Sequence, residues 1–199
     1  MRAAVIILGL AAVAALFGSR LWPLTEYAHV NGNAHYSDAE VLWLANVSHG
    51  APLLWVNRWS LAGLEDDPWI LRARVVRHWP DTVAITVTER EPRVWSEGTA
   101  WSADGVALPG VAEETAAELP VVEGWGEPRI EEAVRLLDLL GSPEPEVISY
   151  TPDGFDINVG GAIIFTPSVA ALEAQWAAVK GRLGNRLAVY PWGVSEHNE

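Results

Sequence analysis

Residues 69–92, WILRARVVRHWPDTVAITVTEREP, constrain the fold more tightly than any other stretch. Ala73, Val75, Arg77 and Trp79 alternate with Arg72, Arg74, Val76 and His78, and after Pro80-Asp81 the residues Val83, Ile85 and Val87 alternate with Ala84, Thr86 and Thr88. Period two on both arms, with a Pro-Asp turn between them, reads as a β-hairpin with one buried face. Upstream, Tyr27–Val30 reads as a short strand that ends at Asn31-Gly32-Asn33, residue types that tolerate positive φ. Ser37-Asp38-Ala39-Glu40 is a capping box, and Val41, Leu44 and Ala45 follow it at helical spacing. A second short helix fits Asn57–Glu65, presenting Leu61 and Leu64, and Pro68 prevents its continuation. The order over residues 27–90 is therefore β-α-α-β-β.

Pro92 marks a change of module. Short strands are expected at Arg93–Ser96, Thr99–Ser102, Val106–Leu108 and in LPVVEG (119–124), with an exposed, acidic connection at 109–118. Glu131–Leu140 reads as a helix carrying Val134, Leu137 and Leu140 on one face. Strands follow at Val147–Thr151, Phe155–Val159 and Ala162–Thr166, joined by the hairpin signals Asp153-Gly154 and Gly160-Gly161. A helix from Ser168 to about Leu183 and a final strand, Arg186–Tyr190, stopped by Pro191, complete the reading.

The first residues, MRAAVIILGLAAVAALFGS, carry no charge from Ala3 to Ser19. Seventeen residues is the short end of what spans a hydrocarbon core. The competing reading is a secretory signal peptide cleaved near Ala12-Val13-Ala14. The apolar run continues past that site, and Leu21-Trp22 places an interfacial aromatic beyond Arg20, so an uncleaved anchor is favoured. Arg2 and the terminal amine bias the N-terminus towards the cytoplasm, which puts residues 25–199 on the outer side.

The 199 residues carry thirteen Lys plus Arg against twenty-six Asp plus Glu, a formal charge of −13. That balance argues against binding nucleic acid and against electrostatic adhesion to anionic lipid. With no cysteine there is no disulfide, zinc thiolate or thiol nucleophile. The histidines, His29, His35, His49, His78 and His197, form no pair at metal-binding spacing, so no metal site is expected. Glu65-Asp66-Asp67 reads as a solvated helix end rather than a cation or glycosidase site. No G-x-S-x-G or G-x-G-x-x-G occurs, and no catalytic or cofactor-binding residue is assigned. Of the eleven tryptophans, Trp43, Trp79 and Trp176 are expected in the core and Trp192 exposed.

Taken in order, VNGNAHYSDAEVLWLANVSHGAPLLWVN, LEDDPWILRARVVRHWPDTVAITVTEREPRVW, ADGVALPG and LPVVEG resemble the bacterial cell-division family FtsQ, called DivIB in some lineages. The V-x-G-N turn, S-x-x-E-V, P-W-I-x-x-A-x-V, W-P-x-T-V-x-I-x-V and E-R-x-P look like its POTRA domain, and the D-G and L-P-x-x-x-G segments look like the start of its β domain. The fold class expected is α+β: an N-terminal transmembrane helix, a POTRA-like β-α-α-β-β module, and a mixed β-rich domain with two helices. The divisions are 1–24 anchor and linker, 25–91 POTRA-like, 92–192 β domain and 193–199 C-terminal tail. The resemblance implies a non-catalytic, single-pass protein of the division septum, without cofactor. It implies FtsB and FtsL as partners and a link through them to the septal peptidoglycan synthases. Family members often carry a sizeable cytoplasmic segment before the anchor, whereas here Met1 and Arg2 alone precede the apolar run.

A scaffold docks partners on a surface, and an unpaired sheet edge is a ready-made one. The expected docking edge is the strand Arg186–Tyr190, with Arg186, Leu187, Val189, Tyr190 and Trp192 as contact residues. A secondary surface is Arg72, Arg74 and His78 on the outer face of the hairpin. The alternative function is a periplasmic wall-binding protein that stacks sugars on exposed tryptophans. A POTRA-bearing outer-membrane assembly factor is disfavoured, because the remaining ~100 residues with a helix among them do not supply a lipid-facing barrel.

Overall fold

The computed structural model describes residues 2–21, 23–126, 128–142, 144–182 and 186–197. They form two compact units, Met1–Arg90 and Glu91–Glu199.

The first unit begins with a helix, α1 (Arg2–Leu21). Its side chains are described from Val5 to Arg20, and the apolar ones, such as Leu8 and Phe17, are exposed. Among the described residues no helix is long and apolar enough to cross a membrane, and the expected span from Ala3 rests partly on side chains outside that set. The rest of the unit has the expected order: β1 (Tyr27–Asn31), α2 (Asp38–Leu44), two 3-10 turns (Leu53–Trp55 and Arg58–Leu61) leading into α3 (Ala62–Glu65), β2 (Ile70–His78) and β3 (Thr82–Glu89). The sheet order is β1-β3-β2, with β1 parallel and β2 antiparallel to the central β3.

Local signals account for these elements. The Ser37 hydroxyl accepts the Glu40 N–H, and the Glu40 carboxylate accepts the Ser37 N–H at 2.8 Å. Those bonds from Ser37 hold the Glu40 carboxyl below the usual range. Val83, Ile85 and Val87 turn inward from β3 against Val41 of α2, its C-cap residue Ala45, and Leu53, Leu61 and Leu64, all nearly inaccessible to solvent. The loop before α2 is pinned across the sheet: Glu89 accepts the backbone N–H groups of Ala34 and His35 at 2.7 and 2.6 Å and of Tyr36 at 3.2 Å.

Three expectations are corrected in this unit. Trp43 is 78% exposed, because the buried side of α2 is set by Val41 and the C-cap residue Ala45 four positions on, and position i+2 from Val41 points away from it. Trp79 is 61% exposed, because β2 ends at His78 and the alternation does not extend into the turn. Asp67 is more than a solvated acid: it accepts the Tyr36 hydroxyl at 3.0 Å and the Trp69 N–H at 2.8 Å. Burial, and then Asp67, push the Tyr36 hydroxyl up to about 12.

The second unit contains β4 (Pro92–Ser96), β5 (Thr99–Ser102), β6 (Ala107–Leu108), α4 (Glu113–Glu118), β7 (Val121–Gly124), α5 (Ile130–Leu140), β8 (Val147–Thr151), β9 (Gly154–Val159), β10 (Ala162–Thr166), α6 (Val169–Val179), β11 (Arg186–Tyr190) and β12 (Gly193–His197). They build a nine-stranded sheet ordered β12-β11-β10-β9-β8-β7-β4-β5-β6. One face is covered by α5, through Val134, Leu137 and Leu140, and by α6, through Val169, Leu172 and Val179. Facing them are Val94, Val122, Ile148, Phe155, Ile157, Ile164, Leu187 and Val189. Trp176 packs against this core, as expected. Among the described residues the unit has three helices rather than the expected two: α4 forms inside the expected exposed connection, and none of its side chains is buried. Residues 193–199 are not a tail throughout, since Gly193–His197 form a strand.

Candidate docking edge

Helix α6 carries the chain from β10 to β11, which lie parallel and adjacent, Ile164 opposite Leu187 and Phe165 opposite Ala188. Such a crossover needs a helix on one face of the sheet, and Leu187 and Val189 point to that side. Pro191 stops β11, but the chain then reverses at Pro191-Trp192 and returns as β12, antiparallel to β11 from Tyr190 opposite Gly193 to Arg186 opposite His197. The Gln175 side chain of α6 donates to the Pro191 carbonyl oxygen at 3.1 Å and fixes the turn.

The expected docking strand is therefore misplaced by one. β11 is an interior strand, between β10 and β12, and the sheet's edges are β12 and the two-residue β6. Of the expected contact residues, Leu187 and Val189 are 1% and 0% exposed beneath α6, where no partner side chain reaches them. Arg186 is exposed, Tyr190 half-buried and Trp192 82% exposed. These three, unlike Leu187 and Val189, are available at the surface.

On the face away from the helices a concavity of about 460 Å³ opens, lined by Asp156, Ile163, Phe165, Arg186, Ala188 and Tyr190. Phe165 and Tyr190 lie 5.9 Å apart between ring centroids, and Tyr190 stacks on Trp192 at 5.1 Å with an interplanar angle of 8°. An aromatic ladder thus leads from β10 to the turn before β12. Ile163, 41% exposed, and Phe165 were missed in the sequence reading. The signal was present: in AIIFT apolar residues occupy both phases of the strand, more than one buried face requires.

Arg72, Arg74 and His78 are exposed on β2, an edge strand of the three-stranded sheet, and the structure does not bring them together with the β11–β12 residues into one unit. Among the described residues no group of His, Asp and Glu could hold a metal ion.

The β-α-α-β-β unit with its parallel β1–β3 pair defines a POTRA domain, and the family model "POTRA domain, FtsQ-type" matches residues 25–90. Proteins named "Cell division protein FtsQ" are similar over a longer stretch. That of Geobacter sp. (strain M21) is 31% identical over 106 residues, 51% of this chain and 39% of the relative. That of Novosphingobium aromaticivorans is 35% identical over 97 residues, 44% and 30% of the two chains, and that of Alcanivorax borkumensis 34% over 80 residues, 40% and 31%. The matched part thus spans well under half the length of these relatives. The likeness to the FtsQ/DivIB cell-division proteins that the motifs carry is shown, and its densest part is an FtsQ-type POTRA domain.

Proposed function

We propose that this chain is a non-catalytic scaffold of the bacterial division site, held in the cytoplasmic membrane by α1, with residues 25–199 outside. It binds FtsB- and FtsL-type partners and connects them to the septal peptidoglycan synthases. The single observation that carries the docking role is β12, a five-residue edge strand at the end of a nine-stranded sheet, flanked by the exposed Trp192 and the Tyr190–Phe165 pair. A partner strand adds to such an edge through backbone hydrogen bonds, while aromatic anchors beside it supply specificity and much of the affinity. Edges left open are ordinarily blunted by charged side chains, Pro or a bulge. β12 itself, GVSEH, contains neither Lys nor Pro and carries a single carboxylate, Glu196. The anchor role rests on α1, whose uncharged run Ala3–Ser19 is seventeen residues, about 25 Å of helix and the short end of what spans a hydrocarbon core.

The test uses two single substitutions in the full chain, Val194→Pro and Ser195→Pro. Along an antiparallel edge strand alternate residues direct their N–H groups to the neighbour and to the outside. One of the two prolines therefore removes an outward donor and leaves the β11 ladder intact. That variant is expected to lose tenfold or more in co-purification of the same organism's FtsB-type protein, with its melting temperature unchanged. Full retention of the partner by both variants contradicts docking at β12.

A further inference from the structure

Beyond partner docking, and resting on the reading of α1 as an anchor, we infer that one end of the POTRA unit is a membrane-contact surface that sits in the lipid headgroup layer. The topology places several elements at that end. Tyr27, which opens β1 a few residues after α1, is opposite Thr82, the first residue of β3, and the Glu26 N–H donates to the Asp81 carbonyl at 2.8 Å. The turn of the β2–β3 hairpin therefore lies beside the end of α1. The first 3-10 turn joins them: the Leu53 N–H donates to the Pro23 carbonyl at 2.9 Å, and Leu24 bridges to Pro52.

The last turn of α1 is fastened to this surface. The Trp55 indole N–H donates to the Ser19 hydroxyl at 3.2 Å, and the Arg20 guanidinium lies over the Trp55 ring, 4.6 Å from its centroid. Arg77 donates to the Leu54 carbonyl at 3.1 Å from the neighbouring strand. Around these contacts large apolar side chains stand in solvent: Leu24 is 42% exposed, Leu54 38%, Trp55 41% and Trp79 61%. Two tryptophans and two leucines with arginines among them have the composition of an interfacial belt, where amphipathic rings and snorkelling cations sit at headgroup depth. Their continuity with the apolar α1 selects the occupant as the bilayer that α1 enters. Glu26 and Asp81 at the same end offset Arg20 and Arg77, so the contact is interfacial burial and not adhesion to anionic lipid. The exposed positions of Trp79 and Trp55 acquire a purpose that core packing does not give them.

The chain contains no cysteine, so a single introduced cysteine is a unique site for a nitroxide label. Full-length Leu10→Cys, Leu54→Cys, Trp79→Cys and Ala34→Cys variants would be placed in phosphatidylcholine nanodiscs, and label accessibility to oxygen and to a neutral nickel chelate measured. Ala34 is the control at the other end of the sheet, its N–H bonded to Glu89 at the end of β3. The expected result is Leu10 in the hydrocarbon, Leu54 and Trp79 at headgroup level with an oxygen-to-nickel ratio at least threefold that of Ala34, and Ala34 in water. Leu10 in hydrocarbon with Leu54 and Trp79 equal to Ala34 overturns the contact surface while leaving the anchor standing. Leu10 in water overturns the anchor, and the contact surface with it. Labels at Leu54 and Trp79 that are shielded from both reagents show protein covering the patch and overturn the lipid assignment.

Discussion

Phe155→Ala is expected to cost the second unit about 3–5 kcal/mol, the range for deleting a buried aromatic side chain. Phe155 is fully buried and among the largest such side chains in the chain. It lies on β9 between Tyr150 of β8 and Thr166 of β10, near the middle of the nine-stranded sheet. The Arg129 guanidinium sits 4.0 Å from its ring centroid, and that arginine is itself held by two bonds to Glu132, at 2.6 and 2.8 Å. Truncation leaves a cavity under α5 and α6 and removes the ring on which the cation rests, so neighbours fixed by their own partners relax only in part. A domain of this size has about 5–15 kcal/mol in all. The substitution is thus expected to bring the second unit close to unfolding at 37 °C. Urea melts followed by circular dichroism check the loss, and a change below about 1 kcal/mol contradicts the packing described.

Gly32→Ala is expected to cost the POTRA unit about 2–5 kcal/mol, from two sources that add at one atom. Gly32 has φ +84°, a conformation that costs other L-residues roughly 1–2 kcal/mol. A Cβ at that position also runs into the carbonyl oxygen of Val87, a backbone atom of the central strand β3. Displacing it costs about 1–3 kcal/mol, as other overpacking does. The glycine of the V-x-G-N motif is therefore required by the close approach of the turn after β1 to β3. Thermal unfolding of the variant measures the loss, and a melting temperature within about 2 °C of the original contradicts it.

What could be read in the sequence follows from how strongly burial patterns each element. The hairpin was legible because Val83, Ile85 and Val87 each occupy a fully buried site, and α2 because its capping box is complete. The strands at 147–151, 154–159 and 162–166 were legible through their turn glycines. β12 was not, because GVSEH offers one apolar side chain, Val194, packed at the margin of the core. An edge strand is held by the ladder on one side and needs little side-chain burial, so its pattern is faint. The same cause hid α4, which buries nothing. Within the candidate site, Tyr190 and Trp192 were legible as aromatics beside a strand end, whereas the division of RLAVY into an open face and a covered face was not. That division is set by α6, which crosses the sheet on the side of Leu187 and Val189, a tertiary fact with no local signal.

Docking at the C-terminal edge is tested most directly by amide hydrogen exchange on the full chain in detergent, with and without the organism's FtsB-type protein. The account predicts that amides of residues 193–197 exchange at least tenfold more slowly in the complex, while those of Arg72–His78 are unchanged. Protection confined to Arg72–His78, with residues 193–197 exchanging as in the free chain, would contradict it.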